Sequence, residues 1–237
     1  MILSHACLPI PALPPEIKCG EIISYSPQAV NKSTIIVLLI SLIDLQGNLS
    51  MFDHFGILAP VYEKFIKPKA PDQIIKLLDL PTPGRLLDVG GGTGRVSVFL
   101  ESLVDEVIIA DLSHKMLIQS HLKPGLHPVC SHSERLPFPD GSFDRVIMID
   151  ALHHVCDQAE TASELWRIIK PGGKIVVEEP DIHHWAVKLV AVGEKLALMR
   201  SHFLAPGQIR ALFPSLDGKV ETFYEDYIAR IVITKNG

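Results

Sequence analysis

The sequence predicts a doubly wound α/β fold, and three stretches carry the prediction. Residues 86–97 read Leu-Leu-Asp-Val-Gly-Gly-Gly-Thr-Gly-Arg-Val-Ser, an apolar run ending in Asp88, then glycines at 90, 91, 92 and 94, then a helical pattern. Residues 107–110, Val-Ile-Ile-Ala, form a second apolar run that ends in Asp111, 23 residues after Asp88. Lys170-Pro171-Gly172-Gly173 introduces a third, Ile175–Val177. β-Branched runs of this length read as buried strands. A buried strand feeding a glycine turn and a helix start is the entry to a nucleotide-type site, outside the carboxyl ends of parallel strands.

The elements follow in order. Residues 95–103 read as a short helix after the turn, and 113–121 as a helix that Ser113 is placed to cap. Residues 131–149 hold the end of a third strand, a Leu136-Pro137-Phe138 turn and a fourth strand that runs into Asp150-Ala151-Leu152-His153-His154-Val155. A helix at 158–169 ends at the Gly172-Gly173 turn, which opens the fifth strand, Lys174–Glu179. Helices at 183–200 and 206–213 come next, and 220–226 with 228–234 alternate like a closing hairpin.

Glycine spacing narrows the ligand. A dinucleotide fingerprint needs Gly-x-Gly-x-x-Gly, but counted from Gly90 the sixth position is Arg95, and counted from Gly91 the third is Thr93. No Gly-Lys-Ser/Thr follows, so the phosphate loop of nucleotide hydrolases is absent. What fits is Asp88-x-Gly90-x-Gly92-x-Gly94. A carboxylate at the turn repels pyrophosphate and welcomes a cation. S-adenosylmethionine (SAM), with an ammonium and a cationic sulfur, is such a ligand. Asp111 is placed to accept both ribose hydroxyls, a device that NAD enzymes share.

On these residues the chain resembles the class I SAM-dependent methyltransferases, and most the branch with the ubiquinone/menaquinone-biosynthesis C-methyltransferases. The resemblance covers residues 51–237 and rests on the glycine turn, Asp111, the Leu-Pro-Phe turn and Pro-Gly-Gly in order. It implies a seven-stranded sheet of order 3-2-1-4-5-7-6 with strand 7 antiparallel. It implies SAM contacts at Asp88, Gly90, Gly91, Gly92, Gly94, Asp111 and Asp150, with Tyr62 at the lid beside the methionine end. Leu112 and Met116 would pack near adenine, and Ser133 would offer it a backbone N–H. His132 stands where the family has an aspartate, and a neutral imidazole accepts the adenine amino group more weakly than a carboxylate does.

The reaction implied is transfer of a methyl group to a small-molecule acceptor, apolar or aromatic. His154 and His153 are the candidate bases, because histidine titrates near neutrality. His183, His184 and His202 lie in the segment that covers the acceptor in this family, with Trp185 as a lining candidate and Arg200 as a partner for an acidic acceptor. A metal site from His153, His154, His183, His184, Asp150 and Glu178 has no His-x-x-x-His spacing behind it, so no metal is expected. Two other readings stay open: a SAM-binding sensor or partner subunit without activity, and an NAD(P)-dependent oxidoreductase, which the glycine spacing disfavours.

The net charge of −5 leaves no basic footprint for nucleic acid. The cysteines at 7, 19, 130 and 156 form no Cys-x-x-Cys pair, which points to a reducing, cytoplasmic setting. Residues 1–50 differ in kind, with five prolines, no arginine and five charged groups. Their apolar run 35–43 is too short to span a bilayer, so no stable membrane insertion is expected. They read as an N-terminal extension, either a disordered leader, a membrane-touching or dimerising appendage that leaves a homodimer open, or sequence outside the native protein. Met51 opens a helix-like Phe-Asp-His-Phe-Gly-Ile-Leu, and Gln46-Gly47-Asn48 can be encoded by a purine-rich stretch just upstream. The expectation is a native protein that begins at or next to Met51.

Overall fold

A computed structural model describes residues 71–196, 201–213 and 217–237, all within the unit Asp53–Gly237. The expectations for residues 1–50, for Tyr62 and for Arg200 lie outside the described residues.

Seven strands form one sheet: β1 (Arg85–Val89), β2 (Glu106–Asp111), β3 (Leu126–Cys130), β4 (Phe143–Ile149), β5 (Ile169–Pro180), β6 (Gly218–Glu225) and β7 (Ile228–Lys235). Their order is β3-β2-β1-β4-β5-β7-β6. β1 pairs in parallel with β2 and β4, and β7 runs antiparallel to both β5 and β6. This is the order that the family resemblance implies.

Strand period explains the two layers. Alternate residues Leu87, Val89, Met148 and Val177 face one core, while Leu86, Ile109, Ile147 and Val176 face the other. Helices α3 (Gln158–Ile168) and α5 (Pro206–Ala211) cover the first through Ala162, Leu165 and Ile209. Helices α1 (Asp72–Leu77) and α2 (His114–His121) cover the second through Ile74 and Leu117. A sheet covered on both faces needs near-continuous apolar strands, which is why β1, β2 and β4 were legible. The remaining helix, α4 (Trp185–Leu196), follows β5.

Two boundaries differ from expectation. Residues 95–103 are not one helix but two 3-10 turns, Ser97–Phe99 and Glu101–Leu103. The stretch is short, and the β-branched Val96 and Val98 resist α-helix. Strand β5 starts early because Ile169 pairs with Phe143; the register then breaks and resumes at Arg145 with Lys174, so Lys170–Gly173 loops out between. Gly94 shows why the turn takes no other residue. Its φ is +72°, and a Cβ there would stand 2.7 Å from both Ile109 Cδ1 and Leu126 Cδ1.

Candidate active site

The parallel strands all finish at one edge, and the predicted polar residues gather there. The backbone N–H of Gly90 donates to the Ala110 carbonyl at 2.7 Å, which fastens the glycine turn to β2. Gly90 has φ +72°, and a Cβ on it would stand 2.5 Å from Ala151 Cβ. The loops after β1 and β4 therefore touch. Gly94 N–H closes the turn on the Gly91 carbonyl, and Lys123 Nζ braces the Thr93 carbonyl at 2.8 Å.

Asp111 organises the next corner. One carboxylate oxygen accepts from Gly92 N–H at 2.9 Å and the other from Ser113 N–H at 2.7 Å. Asp111 Oδ2 and Met116 Cε both stand 3.8 Å from where a Cβ on Gly92 would lie, so an acid and a thioether stand together beside the turn. Met116 is buried, whereas Leu112, expected near adenine, is half exposed. His132 lies at the end of β3, with Nδ1 4.0 Å from the buried Glu134. The Ser133 hydroxyl meets Glu134 and Thr161, and Glu134 accepts from the backbone N–H of Cys156 and Asp157.

Asp88 lies buried next to the turn. It is 3 % exposed and takes a 2.5 Å hydrogen bond from the Ser97 hydroxyl. Burial pushes its carboxyl up to about 6, against the pull of Ser97 and the Arg95 charge.

A run of charges crosses the site. Arg95 Nη2 meets Asp150 at 2.7 Å, and Arg230 bridges Glu178 at 2.5 Å and Glu225 at 2.7 Å. Burial raises the Glu178 carboxyl and Arg230 opposes it. Asp150 has φ +52°, a left-handed backbone uncommon outside glycine.

The two histidines occupy different surroundings. His153 is 4 % exposed, its Nδ1 2.5 Å from Glu179 and its ring stacked on Phe203 at 4.2 Å. Glu179, also buried, accepts from the backbone N–H of Ala151 and Leu152 at 3.0 and 2.7 Å. His154 lies 4.0 Å ring to ring from His153, with its Nδ1 3.3 Å from the Ser201 hydroxyl. Burial first, then the neighbouring His153, holds His154 down at about 3. Gln158 ties the Leu152 and His202 carbonyls together, so the segment from Ser201 packs as a wall on the histidine loop.

This gives a pH prediction. Unfolded, His154 binds a proton near pH 6.5; folded, it does so only near 3. Its share of stability is present above 6.5 and is lost as pH falls toward 3. Urea unfolding of a His154→Asn variant is expected to show a shallower loss of stability between pH 6.5 and 4.5 than the parent. Equal slopes would mean that His154 titrates normally.

Other candidates separate from the site. Trp185, expected to line a pocket, is 69 % exposed. His183 is exposed and paired with Asp181. Among the described residues no group of three or more histidine, cysteine, aspartate or glutamate side chains is placed to hold a metal. Sequence reasoning passed over Arg95, read only as a missing glycine, and Phe203. It saw Glu179 only as a strand end. No local pattern marks them, since their partners are 26 to 55 positions away.

Residues 87–177 match the model of the "Methyltransferase domain" family. The ubiquinone/menaquinone biosynthesis C-methyltransferase UbiE of Vibrio cholerae is 36% identical over 108 residues, 41% of this chain and 42% of that protein. The demethylmenaquinone methyltransferase of Beutenbergia cavernae is 38% identical over 106 residues, 44% of each. The chain thus spans about two-fifths of the length of the curated relatives it matches. A SAM-dependent methyltransferase structure from Thermotoga maritima superposes with a TM-score of 0.64 at 22% identity, over 77% of this chain and 98% of that one. One from Aquifex aeolicus gives 0.59 at 15%, over 76% and 95%. The structural matches carry the fold, and the sequence matches bear out the resemblance to the class I methyltransferases and the UbiE branch.

Proposed function

We propose, from the premise that residues 87–177 are a methyltransferase domain set in a class I sheet, that the protein transfers a methyl group from SAM to a small-molecule acceptor. The observation that carries this is the glycine turn between two acids, with Asp88 beneath it and Asp111 bonded to its Gly92 N–H. The acid and the thioether beside Gly92 suit a nucleoside, with Asp111 as the partner of a ribose diol. Carboxylates of Asp88, Asp111, Asp150 and Glu178 outnumber Arg95 and Arg230 at this edge, which favours a cationic ligand. A pyrophosphate would meet the same carboxylates unfavourably.

When bound, SAM supplies a methyl group on a cationic sulfur that departs with the bonding electron pair. The chain's own task is alignment and exclusion of water. Asp88, buried, acts on the ligand's charge through space. His132 and Ser133 belong to the adenine corner, with Leu112 at its rim. The Ser201–Phe203 wall and the histidine loop bound the acceptor side. His154 is kept neutral by burial, so it adds no positive charge beside a sulfonium. It accepts a hydrogen bond from the acceptor, whereas His153 is a positioning residue held by Glu179.

The quinone-ring substrates named for the relatives extend this proposal to a planar, apolar or aromatic acceptor. A homodimer and a cytoplasmic setting belong to the same proposal. No helix among the described residues is long and apolar enough to cross a membrane.

Calorimetry with SAM, S-adenosylhomocysteine and NAD tests the donor. Binding of the first two and not NAD is expected, and NAD binding alone would end the reading. Release of S-adenosylhomocysteine across a panel of phenols, quinols, thiols and amines then tests the transfer. SAM binding without turnover on any of them would favour a sensor.

A further inference from the structure

β6 is the last strand on one side of the sheet, and among the described residues no strand lies beyond it. A two-residue turn, Asp226-Tyr227, with Asp226 at φ +53°, fixes its register on β7, from Glu225 opposite Ile228 to Gly218 opposite Lys235. Half of the backbone N–H and C=O groups of these eight residues therefore point outward, away from β7. The other side of the sheet ends in β3, which has five residues and Pro128 in its middle, a residue with no N–H to give. One end of the sheet is blunted against further pairing, and the other is not.

The side chains of β6 show what fits beside it. Strand alternation puts Val220, Thr222 and Tyr224 on one face, with Val220 against the core, and Lys219, Glu221, Phe223 and Glu225 on the other. Phe223 and Tyr224 are exposed, Tyr224 at 64%. A second copy of the strand, related by a two-fold axis normal to the sheet, keeps every side chain on its own face, so the axis must pass through a residue. With the axis at Thr222, Lys219 stands opposite Glu225 and Val220 opposite Tyr224, each pair twice, and Thr222 meets itself. Opposite charges meet at both ends, and Phe223 lies diagonal to its own copy, within reach of an aromatic ring. Moving the axis to Glu221 sets Glu221 against itself, and moving it to Phe223 sets Glu221 against Glu225. Both shifts oppose carboxylates, which destabilises a pair.

We propose that β6 pairs antiparallel with β6 of a second copy of this chain about Thr222, so that one sheet runs through both copies. This rests on the homodimer reading and deepens it by naming the face; it does not depend on the identity of the methyl donor. The pairing also reaches the site. The Glu225 side chain is 51% exposed while Arg230 holds it, and Arg230 in turn holds Glu178 at the edge where the parallel strands end. Lys219 of the second copy joins the outer end of that chain of charges.

The test uses the full chain. Thr222→Cys sets two thiols directly opposite, with Cα atoms about 4.5–5.5 Å apart, within the range of a disulfide. In Lys219→Cys each thiol faces position 225 of the other copy, so the two thiols stand about 20 Å apart along the strands and do not meet. Both proteins are oxidised mildly and run on a gel without reductant. The Lys219→Cys lane reports the background from the native cysteines at 7, 19, 130 and 156. A covalent dimer is expected from Thr222→Cys and background alone from Lys219→Cys. Sedimentation equilibrium, with thermal melts to confirm folding, then compares the parent with Lys219→Glu and Lys219→Arg. Glutamate opposes Glu225 at both ends and should weaken the dimer about 10-fold, whereas arginine should leave it within about 3-fold. A parent that stays monomeric at every concentration would end the homodimer reading itself. A dimeric parent whose Thr222→Cys variant cross-links no more than Lys219→Cys would put the interface on another face and overturn the inference, as would a Lys219→Glu dimer as tight as the parent.

Discussion

Replacing Asp88 by asparagine is expected to make the ligand-free protein more stable and a poorer binder of a cationic ligand. The carboxyl is lifted from 3.8 to about 6 by burial. A folded-state value above the unfolded one means that the folded protein holds the proton more tightly between pH 3.8 and 6. Stability from this group is therefore present below 3.8 and lost as pH rises through 6. At about 1.4 kcal/mol per pH unit, the ionised carboxylate costs roughly 3 kcal/mol at neutral pH. Asparagine keeps an oxygen for the Ser97 hydroxyl and carries no charge. Urea unfolding at pH 7.5 should show a gain of roughly 2–3 kcal/mol, and at pH 4 almost none. Binding moves the other way. A cation above the turn favours the ionised form, so affinity of the parent for SAM should rise with pH and level off above 6, and Asp88→Asn should flatten that profile. A less stable Asp88→Asn at pH 7.5 would show that the carboxylate supports the fold.

The second large effect concerns Glu179. One of its oxygens accepts from two backbone N–H groups, those of Ala151 and Leu152, and the other meets His153. All four residues are buried. Glu179→Ala removes the acceptor of two backbone donors and the carboxylate that meets the His153 imidazole. At about 1–3 kcal/mol for each unsatisfied group, the loss should be about 3–5 kcal/mol. For a domain of this size that lowers the thermal midpoint by roughly 10 °C. Glu179→Gln keeps a carbonyl oxygen and should lose about 1–2 kcal/mol, the charge-assisted part alone. A Glu179→Ala protein melting within a degree or two of the parent would mean that the loop after β4 is held by its other contacts.

These effects separate what the sequence shows locally from what only folding creates. β1, β2 and β4 were legible because burial on both faces writes unbroken apolar runs into the chain. The glycine turn and Asp111 were legible because a tight turn and a strand-end acid have fixed spacing. The 3-10 breaks after Gly94 were not, since an apolar spacing near a helical period does not distinguish i+3 from i+4 bonding over so few residues. Asp88 was legible as a strand-end acid. That its side chain turns to Ser97 follows from strand parity: it shares a face with Leu86, the face that the 96–100 segment covers. Spacing could equally not show that Glu179 holds the histidine loop, because its partners lie 26 to 28 positions upstream.

The reversed strand β7 has a consequence for assembly in time. Running against its neighbours, it brings a residue from its beginning, Arg230, to the edge where the parallel strands end. Arg230 neutralises Glu178 there, from 52 positions further along the sequence. The glycine turn and all five parallel strands precede β7 in the chain, so they are synthesised before it. A nascent chain can therefore lay down the donor turn first, but the charge balance of this edge is completed only when β7 docks.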